Sequence, residues 1–127
     1  MRLRDLDTIT LFVEDLTAAR RFYADVFDSR ELYSDDVSTA LSIGNVTVNL
    51  LQADRAEELV TPGEVGAPGP ARCLLTVQVA DTDAVCAELA RLGVPLRNGP
   101  QDRPWGVRTA AFADPAGHLW EVAAPLA

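Results

Sequence analysis

Residues 8 to 13, Thr-Ile-Thr-Leu-Phe-Val, alternate in polarity. Ile9, Leu11 and Val13 fall on one side, with Thr8, Thr10 and Phe12 on the other, the period of two that marks a half-buried strand. Asp15 then stands where a helix N-cap would, with a carboxylate able to accept a backbone N–H of the first turn. Leu16, Ala19, Phe22, Tyr23, Val26 and Phe27 recur at helical spacing, which predicts a helix to about Phe27. Strands are predicted over 30–34, 38–43 and 46–52, and Gly44-Asn45 is the hairpin turn between the last two.

The second half follows the same plan. Leu75, Val77 and Val79 share a face opposite Leu74, Thr76 and Gln78. Asp81 or Thr82 caps a helix carrying Val85, Leu89 and Leu92, ended by Gly93 as C-cap. Strands follow near 95–98, 107–113 and 118–123, and Pro104 restricts Arg103 to an extended conformation. Thr8–Asp15 can be laid on Leu74–Asp81 with one constant shift (from 8 to 74), so that Thr10 falls on Thr76, Val13 on Val79 and Asp15 on Asp81. An internal repeat decides architecture before any local detail does. Module one is residues 1–53 and module two 71–127, within a single domain of 127 residues. Between them, residues 54–70 carry three Pro and three Gly and are expected to be an irregular linker. Each module is too small to bury a comfortable core alone, so a shared core is expected, within one chain or across a homodimer.

The chain carries 19 acidic and 11 basic residues, a formal charge of −8. That field disfavours nucleic acid and anionic membranes as partners. No apolar run reaches the roughly 18 residues of a membrane span. No apolar stretch follows the basic residues of the N-terminal Met-Arg-Leu-Arg-Asp-Leu-Asp, so no signal peptide is expected and the protein is expected in the cytoplasm. Cys73 and Cys86 match no metal-binding spacing and are read as reduced, small hydrophobic residues, although a disulfide between them stays open.

The candidate chemistry gathers at the end of the chain. Trp105-Gly-Val-Arg108 leads into a strand, an Asp114-Pro-Ala-Gly117 turn and a last strand, in which Glu121 lies among apolar residues. A carboxylate there is costly unless it is solvated, paired or bound to a metal. This hairpin, together with the paired modules, resembles the vicinal oxygen chelate superfamily of glyoxalase I, extradiol dioxygenases and bleomycin-resistance proteins. The Trp-Gly-x-Arg and Asp-Pro-x-Gly-x-Leu-Trp run is most similar to the bleomycin-resistance members. The resemblance implies an α+β fold, two tandem βαβββ modules forming a curved, cup-like mixed sheet with helices on the outside. It places Glu121, Leu119 and Ala123 in the cavity, and Trp120 and Val122 beneath a helix.

The resemblance also implies four metal-ligand positions, which fall on Thr8, Asn49, Leu74 and Glu121. Only Glu121 is a strong ligand, whereas transition-metal sites usually need three or more His or carboxylate ligands. No metal and no cofactor are therefore expected. The one histidine, His118, lies in the turn before the last strand and is read as a solvated surface residue. Glu121 has two open readings. It is a general base or the partner of a cationic ligand group, or it is a former ligand now paired with Arg108 or a neighbouring Asn. Trp105, bounded by Pro104 and Gly106, offers a flat face for stacking or for a cation, or else packs across a dimer interface or under the linker. The expected function is metal-free binding of a small, amphipathic, antibiotic-like molecule, with a cationic group the one Glu121 would favour. The expected ligand-binding residues are Thr10, Phe12, Asn49, Leu74, Thr76, Gln78, Trp105 and Glu121, with none catalytic. Two alternatives remain: a metal-dependent lyase, isomerase or dioxygenase of the glyoxalase type, and a cofactor-free enzyme with Glu121 as base.

Overall fold

The computed structural model describes residues 2–127, so only Met1 of the first module lies outside the description. The chain divides into two compact units, at Pro68 and Gly69. In the first, β1 (Thr8–Val13), α1 (Leu16–Val26), β2 (Ser29–Ser34), β3 (Ser38–Ile43) and β4 (Val46–Gln52) make a four-stranded sheet of order β1-β4-β3-β2. A short helix α2 (Glu57–Val60) follows. In the second unit, β5 (Leu74–Gln78), α3 (Thr82–Arg91), β6 (Leu96–Arg103), β7 (Val107–Ala113) and β8 (Leu119–Pro125) make a sheet of order β5-β8-β7-β6. The fold is α+β, and both sheets are mixed. The first strand pairs parallel with the last, and the other pairings are antiparallel.

The alternation read along β1 sorts its faces as expected. Leu11 and Val13 are buried, while Thr10 on the other face is exposed. Register carries the same face across the sheet, with Leu11 opposite Leu50 and Val48 opposite Leu41. All are buried with Leu16, Ala19 and Tyr23 of α1. Burying a Leu or Val side chain of this kind stabilises by roughly 1.5–3 kcal/mol. Thr39, fully buried on this face, has its hydroxyl satisfied by Arg20 Nε at 3.0 Å and Ser34 Oγ at 2.9 Å. In the second unit, Trp120, Val122 and Phe112 are buried together with Leu89 of α3, and the ladder sets Phe112 opposite Trp120. Asp15 and Asp81 both act as N-caps, accepting from the backbone N–H three residues on at 3.0 and 3.1 Å.

Four expectations need correction. The linker is not irregular throughout: a 3-10 turn (Ala53–Arg55) and α2 precede Pro62, and Ala56 between them is fully buried. Its Pro and Gly residues begin only at Pro62, which is where helical structure ends. Strand β6 does not stop near 98 but runs to Arg103, because register shifts accommodate Gly99 and Pro100 inside the strand. Only glycine fits there: φ is +82°, and a Cβ would sit 2.4 Å from the Thr109 carbonyl oxygen. The C-cap of α3 is Leu92, with Gly93 one residue beyond at φ +77°. Cys73 is exposed rather than packed, and both cysteines are free thiols. Among the described residues, no helix is long and apolar enough to cross a membrane.

Candidate functional site

Each unit turns one sheet face to its helix and leaves the other less buried. In the first unit the less buried face carries Thr8, Thr10 and Phe12 from β1 and Thr47 and Asn49 from β4, with Thr10 directly opposite Asn49. In the second it carries Leu74, Thr76 and Gln78 from β5 and Leu119, Glu121 and Ala123 from β8, with Thr76 directly opposite Glu121. These cross-strand pairs occupy matching places in the two repeats. Side chains directly opposite on one face are close enough to interact, and in the second unit they do. The Thr76 hydroxyl donates to Glu121 Oε1 at 3.0 Å. Glu121 is half-buried, so its carboxylate has one donor on the sheet and solvent for the rest.

The expected site residues therefore fall into three places. Thr10, Phe12 and Asn49 share the open face of the first sheet, and Leu74, Thr76, Gln78 and Glu121 that of the second. Trp105 sits in the β6–β7 turn, 70% exposed, with Arg103 Cζ 5.9 Å from its ring centre. Of the implied metal positions, Thr8 lies opposite Thr47 and donates to Asp7 Oδ2 at 2.6 Å, and Leu74 lies opposite Leu119, 47% exposed. Among the described residues, no three His, Cys, Asp or Glu side chains gather as metal ligands. A threonine, an amide, a leucine and a single carboxylate do not make the donor set for the metal that the family resemblance implies.

Glu121 is not held by Arg108 or by an asparagine. Arg108 lies opposite Ala124, on the face that also carries Trp120 and Val122, so it points away from Glu121. Its guanidinium instead binds Asp102 Oδ1 at 2.9 Å and Asp83 Oδ1 of α3 at 3.1 Å. The hydrogen bonds to Asp102 and Asp83 raise its already high pKa. The Trp-Gly-x-Arg run thus contributes a clamp between α3 and the sheet. The clamp is backed by the Thr82 hydroxyl, which donates to the Arg108 carbonyl at 2.6 Å. His118 is half-buried rather than solvated. Its backbone N–H donates to Asp114 Oδ1 at 2.9 Å, as does that of Ala116, and Gly117 turns the chain at φ +91°. Burial pushes the Cys86 thiol up, reinforced by Asp83 and opposed by Arg108, which makes it a poor nucleophile at neutral pH.

Sequence reading missed Arg103. Its Nε donates to Thr109 Oγ1 at 2.9 Å while its guanidinium lies over Trp105. Its place directly before Pro104-Trp105 was the available signal. A concavity in the first unit has among its lining residues Glu14, Asp15, Arg20, Asp35, Asp36 and Gln52. Several of its polar groups are committed to the fold. Asp15 caps α1, and Gln52 bonds Glu14 and Leu16 of the β1–α1 junction. Asp35 accepts from the Tyr33 hydroxyl and the Val37 and Ser38 amides, which lower its pKa to about 2.

The pairing with Thr76 sets an expectation for Glu121. A carboxylate with solvent access and one neutral donor is not a stability element. Glu121→Gln and Thr76→Val should each change unfolding free energy in urea by less than about 1 kcal/mol. A loss above about 2 kcal/mol for Glu121→Gln would instead make it a buried structural charge.

With this geometry in place, the chain can be set beside known proteins. Residues 5–122 match the model of the Glyoxalase/Bleomycin resistance protein/Dioxygenase superfamily. An uncharacterized protein of Mycobacterium tuberculosis (strain ATCC 25618 / H37Rv) is 31% identical over 126 residues, which cover 91% of this chain and 72% of that protein. The fold is similar to TnmS3, an antibiotic binding protein from Streptomyces sp. CB03234, with a TM-score of 0.74 and 23% identity over 98% of each chain. It is also similar to the fosfomycin resistance protein FosX of Listeria monocytogenes, crystallised with Mn(II) and sulfate. There the TM-score is 0.77 and the identity 20%, over 98% of this chain and 92% of that one. At these identities the structural likenesses speak for the fold alone. The family match across nearly the whole chain, together with the mycobacterial relative, shows that the chain belongs to the glyoxalase/bleomycin resistance protein/dioxygenase superfamily.

Proposed function

We propose that this member of the superfamily binds a small molecule without a metal and without turning it over, in the manner of an antibiotic-sequestering protein. The observation that carries this reading is the donor set. The one carboxylate at the implied metal positions, Glu121, accepts from a threonine hydroxyl, and the other three positions are Thr8, Asn49 and Leu74. What remains suits binding: apolar and neutral polar side chains, one carboxylate and an exposed indole, the usual make-up of a small-molecule site. Within the superfamily, TnmS3 is described as an antibiotic binding protein, so the fold is compatible with that use. The ligand contacts on this reading are Thr10, Phe12, Asn49, Leu74, Thr76, Gln78, Trp105 and Glu121. Sequestration needs affinity only, and no group here is assigned a catalytic step.

We further propose that the protein works as a homodimer in the cytoplasm. Leu32 and Tyr33 on the edge strand β2 are 48% and 57% exposed, apolar surface that a second copy would cover.

Two measurements follow. Protein purified without chelator should contain far less than one transition-metal ion per chain, and EDTA should leave its melting temperature unchanged, while a thermal-shift panel of antibiotics should yield stabilising compounds. Stoichiometric Zn, Ni, Mn or Fe that survives dialysis and disappears in Glu121→Ala would overturn the metal-free reading. Sedimentation at micromolar concentration should report about twice the 13.7 kDa chain mass. A species that stays at the chain mass as concentration rises would reject the dimer.

A further inference from the structure

The β6–β7 turn holds a cation with no anion. Arg91 pairs with Glu88, and Arg108 with Asp83 and Asp102. Arg103 is in none of these pairs. Its partners are all neutral. Nε donates to Thr109 Oγ1 at 2.9 Å, and the Gln101 amide, once turned so that its oxygen rather than its nitrogen faces the guanidinium, accepts from Nη2 at 2.7 Å and from Nη1. The Trp105 ring lies against the guanidinium at 5.9 Å. A guanidinium has five N–H donors in a planar fork, and two acceptors leave donors unused on the terminal nitrogens.

Three features argue that this arrangement is built for something other than the fold. First, Arg108 in the same hairpin spends its guanidinium on two carboxylates, whereas Arg103 keeps donors unspent. Second, the Trp105 indole is 70% exposed, so one of its surfaces remains open while Arg103 covers another. Third, the guanidinium reaches the face that carries Glu121. Thr109 lies two residues from Ala111, and Ala111 stands opposite Glu121 in the ladder. Arg103 covers Thr109, which is only 1% exposed, and so is held in place rather than waving in solvent. A fixed guanidinium with spare donors matches the two oxygens of a carboxylate, and an adjacent indole offers a stacking surface to a flat ring.

We infer that Arg103 and Trp105 form the recognition element for an anionic aromatic ligand: Arg103 takes its carboxylate through the free edge of the guanidinium, and Trp105 stacks on its ring. The inference rests on the small-molecule-binding reading and specifies the charge of the ligand. Arg103, not Glu121, then sets charge preference, with Glu121 left to accept a hydrogen bond from a neutral donor group.

The test uses the full chain and three probes of one shape: naphthalene-2-carboxylate, naphthalene-2-carboxamide and 2-naphthylmethylammonium, titrated by calorimetry. The carboxylate should bind about tenfold or more tighter than the amide, the range for a charge-assisted hydrogen bond. Arg103→Gln should bring the two affinities together. Arg103→Lys, which keeps the charge but loses the fork, should retain only part of the preference and serves if the Gln variant fails to fold. Trp105→Ala should weaken acid and amide alike and leave their ratio unchanged. Equal wild-type affinities, a ratio unaltered in Arg103→Gln, or no binding by any probe would overturn the inference. Preference for the ammonium, lost in Glu121→Gln, would overturn it too while leaving the small-molecule reading standing. That reading is judged separately, by metal content and the antibiotic panel.

Discussion

Everything about the candidate site depends on the parallel pairing of the first strand of each unit with its last. That pairing sets Thr10 opposite Asn49 and Thr76 opposite Glu121. Because side chains alternate, the same register sends Val48, Leu50, Trp120 and Val122 under the helices. Slipping either strand by one residue would move the core set into the open and bury Glu121. Register is therefore pinned from the packed side, by Trp120 against Phe112 and by Leu11 against Leu50, and the open face inherits its geometry from that packing. The site residues themselves are then free to vary in chemistry without loss of fold. A scaffold of this kind tolerates leucine and threonine where other chemistry would need a metal ligand.

The second unit shows how charge is divided between stability and recognition. Arg108, on the helix side of β7, is neutralised by Asp102 and Asp83 and ties α3 to the sheet. Such partly exposed pairs are individually modest contributors, but their geometry fixes the end of β7 next to the turn. From that fixed end, Arg103 and Trp105 project together. The contrast between two arginines five residues apart, one paired with carboxylates and one held by neutral groups, cannot come from composition. It comes from which face each strand position presents.

Much of this is legible in the amino-acid sequence. Strict alternation in Thr8–Val13 identifies the faces of that strand, because period two has only two outcomes and an apolar set chooses between them, whereas in the largely apolar last strand the faces follow from the family resemblance. Asp15 and Asp81 were readable as caps since each is followed at once by helical spacing. The failures have physical causes too. Gly99-Pro100 reads as a break, yet paired bulges carry it inside β6, a tertiary accommodation that no local pattern displays. Residues 54–60 read as irregular linker because the Pro and Gly of residues 62–70 colour the whole stretch. Arg108 reads as one candidate partner for Glu121, and only the hairpin register, through strand parity, puts the two on opposite faces. Arg103 went unnoticed because its partners, Thr109, Gln101 and Trp105, are brought to it by the hairpin rather than by a motif.

The face assignment of the second sheet is the claim on which the rest stands, and its two tryptophans report on it directly. Single-tryptophan variants, Trp105→Phe and Trp120→Phe, isolate each indole for acrylamide quenching of its fluorescence. The account predicts that Trp105, 70% exposed, is quenched freely with water-like emission, whereas Trp120, 4% exposed beneath α3, emits to the blue and resists quenching. A freely quenched Trp120 beside a protected Trp105 would contradict the register of β8. It would move Glu121 into the core and remove the open face on which the binding reading is built.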